Sequence, residues 1–600
     1  MIKLSDYIYK FIAGQGVKHV FVLPGGGCMH LVDSLGRNKQ LSYVSCLHEQ
    51  GASIAAGAYA QYTNNLGSAL VTTGPGSTNA ITGVAGAWTE SIPLLIVSGQ
   101  VKRSDIAGPD GPRTLGFQEI GIVPIVQSIT KYAVTVLQPE DIRYHLEQAV
   151  YLAKDGRPGP VWLDIPLDVQ ASFVDENNLR PFKPSDNEIQ ATTDLKNLVQ
   201  SVIEMINRAE RPVILAGYGI KLSNAQKYFF QLIEQLQIPI LTTWKAIDLL
   251  PEDHPLFYGR PGSVGQRGAN FIQQNSDLFI SIGARLDFGQ IAYSYKNFAR
   301  EAKKIMVDID AKELKKLKFD NQLAIKASAE DFIKEMLKQS QKIVKRDNGA
   351  WLTKCKEWKN KYLVVLPEYK QQKKFVNTYA LVDLLSKELT GEDLLVPGSS
   401  GACSDVFMQA FRVKAGQRIL NMPGIGSMGF GLPSSIGACV ASGRKRTICI
   451  NGDGGFQLNI QELATVAHLK LPIKYFILNN GGYGSIKATQ RNYFQSFYVS
   501  TEINSGLFLP DICKLAEVYG IATVRVSNYS ELKKNIKNIL ATSGPVVCEI
   551  LVEPNEMVQP KLTSMVKTDG SIVSKPMEDL APFLDRQEFK DNMIVPPLEE

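Results

Sequence analysis

The strongest constraint in this sequence is the recurrence of short, uninterrupted apolar runs between longer segments of helical period. The runs fall into three blocks. The first holds VKHVFVL (17–23), ALVTT (69–73), LLIVSG (94–99) and VWLDIP (161–166); the second VILAG (213–217), LFISIG (278–283) and IMVDID (305–310); the third TICING (447–452), KYFILN (474–479) and VVCEIL (546–551). A strand that is apolar on both faces needs cover on both, which parallel sheets obtain from flanking helices. The pattern therefore predicts an α/β chain with three doubly wound parallel-sheet domains. The expected spans are 1–170, 190–340 and 370–555. Polar linkers lie over 171–189 and around 340–375, and a Pro-, Met- and charge-rich tail over 556–600 is expected to pack over another part of the molecule.

Composition narrows the function classes. Of 600 residues, 44% are hydrophobic and 21% charged, ordinary values for a globular chain. Lys and Arg exceed Asp and Glu by only 65 − 59 = 6, too thin an excess to predict nucleic-acid or membrane partners. No apolar stretch approaches the roughly 18 residues of a bilayer span, and the opening MIKLSDYIYK lacks a signal-peptide core. Eight cysteines without a CxxC pair and six histidines predict packed, reduced thiols rather than disulfides or a zinc centre. The expected setting is cytoplasmic.

Two stretches carry chemistry. Gly452-Asp453-Gly454-Gly455 follows the run TICIN, and Asn479-Asn480 closes KYFIL, with 480 − 453 = 27 residues between the acid and the second amide. A glycine turn at a strand end turns backbone N–H groups toward a phosphate. A single carboxylate, an amide oxygen and a backbone carbonyl suit a Mg²⁺ ion that keeps its charge for a diphosphate. Leu47-His48-Glu49-Gln50-Gly51-Ala52 opens a small-residue helix. On residue chemistry alone, a Glu such as Glu49 is more commonly a charge favoured by a helix N-terminus.

Together these stretches resemble the thiamine-diphosphate-dependent enzymes, most nearly the acetolactate synthase group, over nearly the whole chain. The resemblance implies a pyrimidine-binding domain, a central nucleotide-type domain that holds FAD in some members, and a diphosphate-binding domain. It implies magnesium ligands at Asp453, Asn480 and the Gly482 carbonyl. It places Glu49 on N1′ of the aminopyrimidine, where it promotes loss of the thiazolium C2 proton. Gly398, Ser399 and Ser400 match positions that touch the diphosphate, although the synthases usually carry amide and imidazole side chains there. Gly426 and Met428 match the segment that bends the cofactor, and Gly452, Gly454, Gly455, Tyr483 and Gly484 line the cradle. Toward substrate the resemblance implies the Gly26 N–H as an oxyanion donor, with Gln118 and Lys131 beside it. For FAD it implies Gly217, Gly219, Gly283, Arg285, Asp308 and Ile309, although Phe288-Gly289 replaces the family's Asp-Arg pair.

Two departures shape the expected reaction. The first block lacks the His pair of simple pyruvate decarboxylases, which favours carboligation over release of an aldehyde. Thr489 stands where biosynthetic synthases carry a tryptophan, leaving a wider, more polar acceptor pocket. The expected activity is decarboxylation of a 2-keto acid, pyruvate first, with transfer to a carbonyl acceptor such as a keto sugar. Alternatives are C–C bond hydrolysis, flavin-linked oxidation, or a non-catalytic scaffold or regulatory relative. The expected assembly is at least a homodimer, commonly a homotetramer.

Overall fold

Most of the apolar runs form largely buried strands, and each block forms one six-stranded, wholly parallel sheet. The computed structural model describes residues 1–108, 110–184, 195–293, 295–344, 348–566 and 572–598. The end of the first expected linker, 185–189, lies outside the described residues. In the first sheet, β1 (His19–Val22), β2 (Ser42–Ser45), β3 (Gly67–Val71), β4 (Leu94–Gln100), β5 (Tyr132–Thr135) and β6 (Val161–Pro166) take the order β2-β1-β3-β4-β6-β5. The second comprises β7 (Pro212–Ala216), β8 (Ile240–Thr242), β9 (Phe257–Gly259), β10 (Leu278–Ile282), β11 (Lys303–Asp308) and β12 (Gln322–Lys326), ordered β9-β8-β7-β10-β11-β12. In the third, β13 (Leu394–Pro397), β14 (Arg418–Ile419), β15 (Thr447–Gly452), β16 (Ile473–Asn479), β17 (Ala522–Val526) and β18 (Val546–Leu551) run β14-β13-β15-β16-β18-β17. Edge strands such as β2 and β17 are partly exposed, as strands with one solvated side must be.

The chain divides into two compact units. Met1–Glu188, Glu392–Ser404 and Arg418–Asn555 form one; Ile189–Gly391, Asp405–Gln417 and Glu556–Glu600 form the other. In the first unit, helix α1 (Glu49–Thr63) packs against helix α2 (Gly431–Ala441), so the first and third sheets share one hydrophobic core. The approach is so close that a Cβ on Gly437 would sit 1.9 Å from the Ala55 carbonyl oxygen.

In the second unit, the tail is part of the core: Met577, Leu580 and Phe589 pack with Phe271, Phe279 and Trp358. Polar anchors reinforce it, with Asn270 Nδ2 donating to the Met577 carbonyl (2.7 Å) and Trp358 Nε1 to Asn592 Oδ1 (2.7 Å). Residues 370–391 and 405–417, expected within the diphosphate domain, cluster instead with the second unit. Polar contacts tie them there: Arg260 donates to the carbonyls of Met408 (2.7 Å) and Phe411 (2.8 Å), and Glu556 accepts from the Thr378 N–H at 3.0 Å. All eight cysteines are free and buried. No described helix is long and apolar enough to cross a membrane.

Candidate active site

Strands β13, β15 and β16 are neighbours, so their carboxyl ends deliver Gly398-Ser399-Ser400, Asp453 and Asn480 side by side. Asp453 opens the short helix α3 (Asp453–Gln457) and is only 3% exposed. Its Oδ1 accepts from the Gly454 N–H (2.8 Å), and its Oδ2 from those of Gly481 (2.9 Å) and Gly482 (3.1 Å). The Gly482 N–H also reaches Asn480 Oδ1 at 3.2 Å, so carboxylate and amide oxygens converge on one point. Burial raises the Asp453 pKa to about 6 against the lowering effect of those N–H groups. Among the described residues no lysine or arginine pairs with it. Two hard oxygens around a buried carboxylate without a cation fit Mg²⁺.

The surrounding glycines are steric necessities. A Cβ on Gly454 would lie 2.3 Å from the Tyr483 ring, and one on Gly484 2.5 Å from Asn480 Nδ2, whereas Gly452 faces open space. The Ser399 hydroxyl donates to the Ser427 carbonyl, which ties the expected diphosphate loop to the segment carrying Gly426 (φ 59°) and half-buried Met428. Ser400 is exposed, its carbonyl accepting from the Cys403 thiol at 3.0 Å.

In the first sheet, His48 caps α1 by accepting the Gln50 N–H on Nδ1 (3.1 Å), which places Glu49 in the first turn. Glu49 is 6% exposed; its Oε2 accepts from Asn79 Nδ2 at 3.0 Å, while Oε1 has no partner among the described residues. A buried carboxylate aimed by one amide and open at the other oxygen fits a ring nitrogen. At the end of β1, Cβ atoms on Gly25 and Gly27 would clash with Thr72 (2.5 Å) and Thr73 (1.9 Å), but one on Gly26 would meet nothing within 4 Å. Gly26 therefore keeps a free approach to its backbone.

Gln118 is exposed in a left-handed conformation (φ 62°), its carbonyl against Gly74. The loop around it is held by Glu119, which accepts the N–H groups of Ala107 (2.6 Å), Leu115 (2.7 Å) and Gly116 (3.2 Å). Burial pushes this carboxyl up, but the three N–H bonds outweigh it and leave the pKa below the ordinary value. Lys131 turns elsewhere: its Nζ donates to the carbonyls of Asp155 (2.6 Å) and Arg157 (2.9 Å). Its expected substrate role gives way to fastening that loop, because the ammonium is engaged by main-chain oxygens.

In the central sheet, the glycine amides at the positions matched to FAD are taken up by neighbouring backbone. Gly217 N–H donates to Ile282 O (2.9 Å), Gly219 N–H to Gly283 O (3.0 Å) and Gly283 N–H to Val307 O (2.8 Å). These glycines serve close packing, since a Cβ on Gly217 would lie 2.1 Å from Gly283 O. Arg285 pairs with Asp287 (2.7 Å), and Asp308 Oδ1 accepts the Asp310 N–H (2.9 Å), while Ile309 is 37% exposed. The amides of Gly217, Gly219 and Gly283 are therefore not free donors for a nucleotide phosphate.

Sequence reasoning missed several supporting groups. Asn79, which aims Glu49, carries no sequence signal. Glu549 does: it is a lone acid in the buried strand VVCEIL. Its Oε1 accepts from Asn479 Nδ2 (2.6 Å), and Asn479 Oδ1 accepts the Gly481 N–H (3.0 Å), stiffening the loop beside Asn480.

Three family models match successive parts of the chain. Residues 2–124 match the N-terminal TPP binding domain of thiamine pyrophosphate enzymes, 199–336 the central domain, and 399–550 the C-terminal TPP binding domain. The chain belongs to the thiamine pyrophosphate enzyme family. Within it, the chain is 33% identical over 573 residues to the acetolactate synthase large subunit of Cyanidium caldarium, covering 94% of this chain and 95% of that one. It is 31% identical over 573 residues to the large subunit of Lactococcus lactis subsp. lactis, with 95% and 96% covered. Acetolactate synthase 1, chloroplastic, of Zea mays is 30% identical over 574 residues, with 94% and 87% covered. The protein is thus an acetolactate synthase-like, thiamine-diphosphate-dependent carboligase.

Proposed function

We propose that this enzyme binds Mg²⁺ with thiamine diphosphate, takes pyruvate as donor, and joins the two-carbon remainder to a hydroxylated carbonyl acceptor such as a keto sugar. The observation that carries the metal is the convergence of Asp453 Oδ2 and Asn480 Oδ1 on the Gly482 N–H. The relatives' activity, acetolactate synthesis, supports pyruvate as donor. When bound, thiamine diphosphate supplies a nucleophilic carbon that can expel CO₂ from a 2-keto acid and form a C–C bond. Asp453, Asn480 and the Gly482 carbonyl would hold the ion, and Gly398 and Ser400 would flank the diphosphate. Met428 would support the cofactor's bend. Glu49 would hold and move a proton at the aminopyrimidine ring through Oε1, with Asn79 keeping the carboxyl aimed. The Gly26 N–H would stabilise negative charge developing on the substrate oxygen.

The acceptor side is polar. On helix α4 (Gly484–Tyr493), exposed Thr489 donates its hydroxyl to the Ser485 carbonyl (3.2 Å), and Lys487 pairs with Glu502. A small hydroxyl there leaves room for a larger, hydroxylated acceptor. Beyond α4, Phe494 (60% exposed), Phe497 (74%) and Phe508 (74%) are apolar surface that supports a homodimer as the minimum working assembly. No step runs through FAD. The deciding experiment incubates purified protein with Mg²⁺, thiamine diphosphate, pyruvate and a panel of keto sugars and 2-keto acids. Mass spectrometry should find a two-carbon gain on a keto sugar. Coupling to 2-keto acids alone would refute the acceptor, and free acetaldehyde or acetate without coupling would refute the ligase reading.

A further inference from the structure

Glu462 is a charged side chain with 0% exposure, 462 − 453 = 9 residues past the metal-site aspartate in the one-turn segment Ile460–Glu462. Its Oε1 accepts two backbone N–H groups from the other end of the chain, those of Leu47 (2.9 Å) and His48 (3.0 Å). Those residues form the link from β2 to α1 and immediately precede Glu49. Without that acceptor, the two half-buried amides leading into α1 would lose their protein partner. Thr465 completes the arrangement: its hydroxyl lies 3.0 Å from the Ser45 carbonyl and 3.1 Å from Glu462 Oε2. The same contact accounts for Gly51, where a Cβ would sit 2.5 Å from Glu462 Oε1.

We propose that Glu462 is a positioning residue that, through the Leu47 and His48 amides, sets the entry of α1 and thereby the aim of Glu49. The segment that presents the metal ligand in the third sheet also reaches across the same unit to hold the acid of the first. What the amides need is one acceptor oxygen, not a charge. A glutamine retains that oxygen, and its NH₂ can donate to the Thr465 hydroxyl while that hydroxyl donates to the Ser45 carbonyl. Alanine removes the acceptor. This inference rests on the assignment of Glu49 to the cofactor ring, so the test separates the two.

Full-length wild type, Glu462→Ala, Glu462→Gln and Glu49→Gln are compared by two readouts. The first is amide hydrogen exchange of the peptide spanning Leu47–Ala52 in protein free of cofactor. The second is C2–H/D exchange of thiamine diphosphate bound with Mg²⁺. Glu462→Ala should speed amide exchange at Leu47 and His48, and slow C2 exchange, by about tenfold or more each. Glu462→Gln should restore both to near wild type. Unchanged amide exchange in Glu462→Ala, or a glutamine variant as impaired as alanine, overturns the proposal. If Glu49→Gln slows C2 exchange and Glu462→Ala does not, the proposal fails while the reading of Glu49 stands. If Glu49→Gln leaves C2 exchange unchanged, the reading of Glu49 fails, and with it the aiming role of Glu462.

Discussion

Replacing Gly482 by alanine tests the proposed metal loop directly. The new Cβ would be placed 2.0 Å from the Thr501 carbonyl oxygen, a rigid main-chain atom, at a φ of 155° that side chains rarely adopt. Restoring ordinary contact requires a movement of more than about 1 Å. The Gly482 N–H now lies 3.1 Å from Asp453 Oδ2 and 3.2 Å from Asn480 Oδ1, so a shift of that size takes it out of hydrogen-bond range of one or both. The lost bond to a carboxylate costs about 1.5–3 kcal/mol, and the backbone strain about 1–3 kcal/mol. Because the loop can move as a unit, the penalty falls on the site more than on the fold. Together, about 2.5–6 kcal/mol corresponds to a loss of roughly 10²–10⁴ in Mg²⁺-dependent cofactor affinity. Isothermal titration of the cofactor-free protein with thiamine diphosphate at fixed Mg²⁺ measures it. A change smaller than about threefold (under 1 kcal/mol), in protein with wild-type circular dichroism, would refute the assignment of this loop to the metal.

Three other outcomes are expected. Glu49→Gln should bind cofactor yet slow C2–H/D exchange by about 10²–10⁴, the range of a lost acid–base group; unchanged exchange read by NMR would remove Glu49 from that role. Asp164 is buried, and desolvation raises its pKa from 3.8 to about 6 against hydrogen bonds from Ser98, Gln100 and Thr135. Its folded state holds the proton more tightly, so the stability it contributes is full below about pH 4 and lost as pH rises to about 6, roughly 3 kcal/mol in all. The difference in unfolding free energy between wild type and Asp164→Asn should follow that step, and a flat difference would contradict it. Thr489→Trp should narrow the acceptor side, lowering kcat/KM for a keto sugar relative to 2-ketobutyrate by about 10–200-fold. Unaltered selectivity in a competition assay would clear Thr489 of that role.

Long central strands were legible in the sequence because burial on both faces leaves an unbroken apolar run, as in LLIVSG and LFISIG, whereas the short interior strands Ile240–Thr242 and Leu394–Pro397 were too brief to stand out. Strands such as SYVS (42–45) and QLAIK (322–326) escaped because edge positions are partly solvated and carry no such run. The pairing of Asp453 with Asn480 was readable because both stand at the ends of adjacent apolar strands, where chain direction alone puts them together. Glu549 was half legible, an acid in a strand with no reason to be charged unless something met it.

Other groupings were not readable from residue order. Lys131 matched a pattern, but only the fold shows that main-chain oxygens of Asp155 and Arg157 hold it. The glycines of the central sheet matched one as well, and only the fold shows that their amides are consumed by neighbouring strands. Residue order thus determined the long buried strands and which strand ends carry the candidate site residues, since both follow from short-range pattern and chain direction. Tertiary structure alone decided that residues 370–391 join the tail, that Asn79 aims Glu49, and that Glu462 grips a segment 415 residues away. Those contacts depend on which buried polar groups meet across packed elements, and chain order holds no local signal of that meeting.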